Sequence, residues 1–314
     1  PWIHKYPHFA WPRPRIDFHA EAIGWWGRWL AGKNNGVEKL PAYRAYITEA
    51  VRPGGTRAHD PGRWVGEPVW PSPRVKPRAF YLNAPGSLDG KARPAVEMTI
   101  ASPQDTGTAA GAWFTLRPDG ELAGDQRADD AGSLVFETAA LASPVEILGR
   151  PSLTLRVAID APLGNLIGRL VDVHPDGVGH RVGVGMLNLA HRRGNAEPKP
   201  MRPGKAEMIS LRLDECGHRF LAGHRIRLAL STAYWPQVLP PPRHVTARID
   251  TGASATLTLP IRSGGGDIAM PEPEDADPLP KYREIEPGRV SREVARDLNR
   301  GTTEYRVLDD RGLH

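Results

Sequence analysis

From Tyr43 to Ile261 the chain reads in steps of two. AYRAYI, RAFYL, AVEMTIA, SLVFET, SLTLRVAID, LIGRLVDV, RVGVGMLNL, AEMISLRL, RIRLALS, HVTARID and SATLTLP each alternate apolar and polar residues, which is the period of a strand with one face toward a core. Turn signals separate these runs: Pro-Asp-Gly at 118–120 and 175–177, and Ala-Pro-Gly and Arg-Pro-Gly elsewhere. Proline presets φ in such turns and glycine accepts positive φ. Many short strands with no helices between them argue against a parallel α/β sheet. They predict a mainly β fold, an antiparallel β-sandwich of jelly-roll type that ends near Ile261.

Only one segment carries a helical period. In DFHAEAIGWWGRWLAG, Phe18, Ala22, Trp25, Trp26, Trp29 and Leu30 recur at steps of three and four, predicting a helix with one apolar stripe, Asp17 as its N-cap and Gly32 as its stop. Three tryptophans on one face need a large partner surface, and the neighbouring sequence offers none, so the helix is expected to pack on a domain preceding residue 1. Past Ile261, Ser263-Gly-Gly-Gly266 reads as a joint, and PEPEDADPLP is too proline-rich and acidic for a core strand. GRVSREVARDLNRGTTEYRVLDDRG reads as a short helix and a final strand lying along the sandwich. The expected organisation is a lead-in over 1–42, the sandwich over 43–262, and a linker with a C-terminal extension over 263–314.

Composition narrows the class. The 314 residues are 40% hydrophobic and 25% charged, ordinary for a soluble domain, and no apolar run approaches the roughly 20 residues that span a bilayer. Lys and Arg number 41 against 36 Asp and Glu, for a net charge of +5. The charges are interleaved, which argues against a nucleic-acid-binding face. Cys216 is the single cysteine, so no disulfide framework exists, and a reducing, cytoplasmic setting is expected. The chain begins Pro-Trp-Ile-His without an initiator Met and is read as a fragment or processed product.

Several residue groups invite a chemical reading, each with a plainer one beside it. His4 stands in a loop about a dozen residues before the amphipathic helix, where α/β-hydrolases place a catalytic histidine; a structural loop histidine is the alternative. No G-x-S-x-G elbow occurs in the chain, so any nucleophile must lie upstream. His4 and His8 at i, i+4 would make a zinc pair only on a helix, which Pro7 breaks, and His8 is expected to pack among Tyr6, Phe9 and Trp11. Asp172, His174 and Asp176 read as a strand end and hairpin turn in preference to a calcium or acid site. Asp125, Arg127, Asp129 and Asp130 read as ion pairs and Asx turns pinning a loop. Trp113 and Phe114 line a pocket or belong to the core. Because tryptophan on a sandwich edge also binds sugars, a carbohydrate-binding module stays open as an alternative.

A set of motifs adds a resemblance. GHRIRLALSTAYWP (223–236), the LVDVHPDG turn, GMLNLAHR (185–192) leading to MRPGKAE, DQRADDAGSLVFET and VEILGRPSLTL together resemble the C-terminal domain of the X-Pro dipeptidyl-peptidase and cocaine-esterase-like serine hydrolases. PWIHKYPH followed by the Trp-rich helix also resembles that family, whose catalytic histidine lies in a Gly-Pro-Trp-x-His motif. The likeness covers about residues 1–260. It implies the end of an α/β-hydrolase domain followed by a jelly-roll (galactose-binding-like) sandwich. It further implies that His4 is the base and acid of a Ser-His-Asp triad, that Trp113 and Phe114 lie on the substrate side, that the substrate is a small-molecule or peptide acyl compound, and that no cofactor or metal is needed. The family's Ser and Asp lie upstream of this histidine and are absent here, so the chain alone is expected to be inactive. His8 falls outside the motif. The resemblance leaves open whether the protein is a monomer or a homo-oligomer, and a structural or oligomerisation domain is a further alternative.

Overall fold

The structure, a computed structural model, describes residues 12–112, 122–273 and 283–313. The chain divides into two compact units, residues 1–273 and 274–314.

Among the described residues of the first unit a helix, α1 (Phe18–Trp29), precedes fifteen strands, β1 (Tyr43–Glu49) to β15 (Thr256–Arg262). Strands β10 (Gly179–Asn188), β9 (Asn165–Val173), β13 (Arg225–Ser231) and β6 (Leu134–Glu137) pair antiparallel in that order as one layer. In the other, β8 (Ser152–Ile159) pairs with β11 (Glu207–Arg212) on one edge and with β14 (Ala247–Asp250) and β15 in succession on the other. β3 (Val75–Asn83) continues outward from β15, and β5 (Glu97–Ile100) from β14. The single pair Ser87↔Glu137 joins β4 (Ser87–Asp89) to β6 and links the layers. Beyond β15 the ladder runs through β7 (Val145–Gly149) and β12 (Cys216–Phe220) to β1 and β2 (Gly62–Glu67), with β1 and β12 parallel.

The two layers close on one apolar core in which Leu153, Leu155, Leu211, Leu257 and Leu259 meet Leu166, Leu170, Leu228 and Phe136. Alternation explains the fit, because period two sends every second side chain inward. At Gly168 of β9 an added Cβ would fall 3.2 Å from Leu211 and 3.8 Å from Leu153, so a glycine lets the side chains of the facing layer pack close to β9. A buried ion cluster ties the outer strands together: Arg262 of β15 donates to Glu67 of β2 (2.8 Å) and Glu146 of β7 (2.6 Å), while Arg63 reaches the other oxygen of Glu146. Burial would raise the Glu67 carboxyl, but donors from Ser72, Arg262 and Arg74 outweigh it and hold the group below its usual range.

Two expectations need correction. The DQRADD stretch includes a one-turn helix, α2 (Arg127–Asp130), and short 3-10 helices at Leu189–His191 and Gly252–Ser254 also lie between strands. In the second unit, the segment read as a short helix and a strand is a two-stranded hairpin, β16 (Arg289–Asp297) against β17 (Thr302–Asp310). Val290 and Val294 have helix-like spacing, yet Val294 faces Tyr305 across the ladder. Asp297 decides the outcome by accepting the Asn299 and Arg300 amides in a tight turn that Gly301 closes at φ +63°.

Candidate functional site

His4, His8, Trp113 and Phe114 lie outside the described residues; what is described is the structure that holds the chain beside them. After Pro12 the backbone is anchored at once. The Arg13 amide donates to the Ala58 carbonyl (2.8 Å), and the Asp60 amide donates to the Arg13 carbonyl (2.7 Å). Both anchors lie in the loop joining β1 to β2. The Arg13 and Arg15 side chains reach Glu272 at 3.1 and 3.0 Å.

The helix then forms where the sequence marks it. Asp17 Oδ1 accepts the Ala20 amide at 2.9 Å, the Glu21 carboxylate pairs with Arg44 of β1 at 2.6 Å, and Gly32 turns the chain out at φ +67°. Its tryptophans stay half open: Trp25, Trp26 and Trp29 keep 51, 55 and 54% of their surface exposed. A groove of about 860 Å³ runs between Trp25 and Trp29 on one side and Tyr43, Trp64 and Met270 on the other. A second, of about 410 Å³, lies between Ile16, Tyr46, Trp64 and Cys216. The Cys216 thiol is pushed up to about 12, first by burial and then by Asp214, so it is no nucleophile. So much exposed indole is a liability for a free chain. The 314-residue polypeptide expressed alone is expected to self-associate and bind a hydrophobic dye, and Trp26→Glu with Trp29→Glu to reduce both. A monodisperse, dye-negative wild type in sedimentation and fluorescence measurements would contradict this.

A polar cluster occupies one end of the core. Asp172 of β9, fully buried, accepts from His218 Nε2 (2.9 Å) and His224 Nδ1 (2.7 Å). Thr48 of β1 lies 2.9 Å from His218 Nδ1 and donates to the Gly217 carbonyl. Two further imidazoles flank these, His174 against His224 at 4.7 Å and His180 edge-on to His218 at 5.8 Å between centroids. Both reach Val51: His174 Nε2 lies 3.3 Å from its carbonyl oxygen, and its amide donates to His180 Nδ1 at 3.4 Å. Among the described residues no group of three or more His, Cys, Asp or Glu is disposed to hold a metal ion, so the cluster is a hydrogen-bonded one.

Burial, with the charges of His218 and Arg57, pushes the His180 imidazole down to about 3. The folded protein therefore binds fewer protons than the unfolded chain between about pH 6.5 and 3, and stability rises with pH across that window. Acidification through it is expected to cost about 1.4 kcal/mol per pH unit from this group. His180→Asn should flatten that dependence in denaturation curves taken from neutral to mildly acid pH; an unchanged slope would contradict the assignment.

The DQRADD stretch works from the other face of β9. Asp125 Oδ1 accepts the Arg127 and Gly179 amides, both at 3.1 Å. Asp129 Oδ1 accepts the Gly107 amide at 2.8 Å, and Gln126 Nε2 donates to the carbonyls of Ala109 (3.2 Å) and Gly124 (2.8 Å). Gln237 holds the Gly111 carbonyl at 2.9 Å. A Cβ at Gly107, where φ is +117°, would fall 2.4 Å from the Trp235 carbonyl oxygen, so only glycine fits. These bonds fix both stems, up to Ala112 and from Leu122, of the segment that carries Trp113 and Phe114. Burial raises the Asp129 carboxyl above its ordinary range.

Residues 35–265 match the model of the X-Pro dipeptidyl-peptidase C-terminal non-catalytic domain. The chain belongs to that family. Among curated relatives, the cocaine esterase of a Rhodococcus species is 24% identical over 67% of this chain and 37% of its own length. A putative serine esterase of Mycobacterium bovis is 25% identical over 70% of this chain and likewise 37% of its own. The chain thus spans little more than a third of these relatives. Two solved structures share the fold. An aminopeptidase from a marine-sediment Thaumarchaeota archaeon has a TM-score of 0.58 at 21% identity, covering 77% of this chain and 43% of that one. A CocE/NonD family hydrolase from Staphylococcus aureus has 0.59 at 15% identity, covering 78 and 46%.

For a PepX-type C-terminal domain the motifs now have physical roles. LVDVHPDG supplies Asp172 and His174 before a true hairpin turn, in which the His174 amide donates to the Val178 carbonyl at 2.9 Å, and Asp176 pairs with Arg52. GHRIRLALSTAYWP supplies His224 to the cluster and Tyr234, whose hydroxyl accepts from Arg181 at 2.8 Å. His218 belongs to none of the motifs; it stands between Cys216 and Phe220 on the inward side of β12, and that period-two placement is the one local signal for it. Among the described residues no helix is long and apolar enough to cross a membrane.

Proposed function

We propose that this chain is the C-terminal part of a serine hydrolase that cleaves ester or amide bonds through an acyl-enzyme. Residues 1–42 complete an upstream α/β-hydrolase domain, 43–262 form a jelly-roll sandwich packed against it, and 263–314 form a linker and C-terminal extension. The observation that carries this reading is the family match over 35–265 immediately downstream of the Pro-Trp-Ile-His loop and its tryptophan-faced helix. The esterase names of the relatives support it.

In this reading an upstream Asp orients the His4 imidazole. His4 takes the proton of an upstream Ser as it attacks the acyl carbon, then returns it to the leaving group, and a water repeats the cycle on the acyl-enzyme. Trp113 and Phe114 reach the acyl side of the pocket from stems fixed by Asp129, Gln126 and Gln237. The exposed indoles of α1 are the surface on which the upstream domain seats. No metal or organic cofactor enters the chemistry, and the enzyme works in the cytoplasm. The full-length parent should release nitrophenolate from a p-nitrophenyl acyl ester in a stoichiometric burst followed by slower turnover, while the 314-residue chain alone gives neither. No hydrolysis by the parent of ester or Xaa-Pro anilide substrates would overturn the proposal. It would favour the second reading, a ligand-binding sandwich, for which the aromatic groove with Tyr46 edge-on to Trp64 at 5.2 Å between centroids speaks.

A further inference from the structure

We propose that the outer edge of β17 is a self-recognition surface, at which two copies of the chain join β17 to β17 across a two-fold axis and make one four-stranded antiparallel sheet. The inference goes beyond the hydrolase reading and does not depend on it. It starts from an edge strand that carries none of the usual guards. β16 and β17, nine residues each, pair along their whole length without a register shift, and among the described residues β17 pairs with no strand besides β16. Proteins protect such an edge with lysine, proline, a bulge or shortness. TTEYRVLDD, the whole of β17, holds no lysine and no proline, and its ladder has no bulge. A two-stranded sheet is also marginal in water by itself, and Val307 and Leu308 keep 51 and 46% of their surface exposed.

The residues of β17 then select both partner and register. Facing residues of an antiparallel ladder aim their backbone groups either both toward each other or both away, so a strand that pairs with its own copy must place the axis on a residue. An axis at Glu304 or at Arg306 sets two like charges against each other, and one at Val307 sets Glu304 against Asp310 of the second copy. An axis at Tyr305 avoids every such clash. Tyr305 then meets its own copy, Glu304 meets Arg306 of the second copy and Arg306 its Glu304, while Thr303 faces Val307 and Thr302 faces Leu308. Aromatic and opposite-charge pairs are among those that stabilise facing strands. Glu304 and Arg306 share one face of the strand and already pair with each other at 2.8 and 2.7 Å, so across the axis each gains a second opposite charge. β16 has no comparable register: axes at Arg292 and Glu293 put like charges on the axis, and one at Val294 sets Arg292 against Arg296 of the copy. A β16 edge laid on a β17 edge would not close and would grow into a filament.

One strand edge is a small interface beside the roughly 1,000 Å² of a stable complex, so the dimer is a weak one. The test uses the 314-residue chain carrying Trp26→Glu and Trp29→Glu, in which the indoles of α1 no longer drive association. Sedimentation from about 1 to 100 µM should show the mass rising toward twice the monomer and stopping there. Glu304→Arg and Arg306→Glu each set like charges across the axis and should each move the dimer to about tenfold higher concentration. Mixing the two variants restores both opposite-charge pairs between unlike chains and should return association to the original range. Because Arg306→Glu also sets an acid opposite Glu293 within the hairpin, a second pair of variants leaves the charges alone. Tyr305→Cys places its thiols together on the axis and should cross-link under mild oxidation, whereas Leu308→Cys, set against Thr302 of the copy, should not. The Cys216 thiol, held protonated by burial, stays out of the reaction.

A monomer at every concentration, growth past the dimer, charge variants that associate as readily as their parent, or equal cross-linking of the two cysteine variants overturns the proposal. Cross-linking at position 305 alone, with association recovered in the mixture, establishes both the partner and the register.

Discussion

Arg169→Ala is expected to lose about 3 to 5 kcal/mol of stability, the cost of removing one partner from a buried charged network, and to lower Tm by roughly 10 °C. Arg169 is fully buried at the middle of β9. Its guanidinium donates to Gln126 Oε1 (3.0 Å) and Ser133 Oγ (2.7 Å), lies 2.9 Å from Asp130, and sits over the Tyr234 ring at 5.6 Å. Truncation would leave the Asp130 and Gln126 oxygens short of a donor and open a cavity against Tyr234. The charge loss also reaches Asp129, whose carboxyl burial raises above its ordinary range while the Arg169 charge opposes that rise. Arg169→Met, which fills the space without the bonds, should recover only part of the loss. Urea denaturation of the three proteins at one pH checks this, and an Ala variant within about 1 kcal/mol of wild type would show that the network is dispensable.

The same residue shows where sequence reading stops. β9 was legible as a strand because Leu166, Leu170 and Asp172 alternate with Ile167, Arg169 and Val171, and alternation predicts one buried face. The structure buries both, since Ala110, Tyr234 and Val184 cover Ile167 while Gln126 and Ser133 cap Arg169. Nothing local to β9 announces a cover supplied by residues as distant in the chain as Gln126 and Tyr234. Asp172 is a similar case. Its turn was visible in Pro-Asp-Gly, but its partners His218 and His224 lie 46 and 52 residues on. The helix stood out because the Asp17 cap, the indole stripe and Gly32 are local signals that agree. The C-terminal hairpin was misread because the valine spacing of β16 suits a helix as well as a strand, and cross-strand pairing, a nonlocal fact, decides between them.

The candidate site was legible in an uneven way for the same reason. The resemblance picked out His4 from a short motif, whereas the supports that hold the surrounding chain, the bracket on Arg13 and the clamp on Val51, are made of backbone atoms and distant imidazoles that no motif records. Asp129 and Gln126 fall between these cases. Asp125, Arg127, Asp129 and Asp130 suggested a pinned loop, while Gln126 stood out in no motif, and the structure ties Asp129 and Gln126 to Gly107 and Ala109 on the stem that leads toward Trp113 and Phe114.

His4→Ala carries the largest expected effect. In a Ser-His-Asp triad the imidazole supplies the base for attack and the acid for departure, and removing it costs several orders of magnitude in rate, nearly as much as removing the whole triad. Stability should hardly respond. The direct measurement is fluorophosphonate labelling of the full-length parent, wild type beside His4→Ala, with thermal unfolding of each as control. The account predicts labelled wild type and an unlabelled variant of unchanged Tm; equal labelling of both would contradict the central claim that His4 activates the nucleophile.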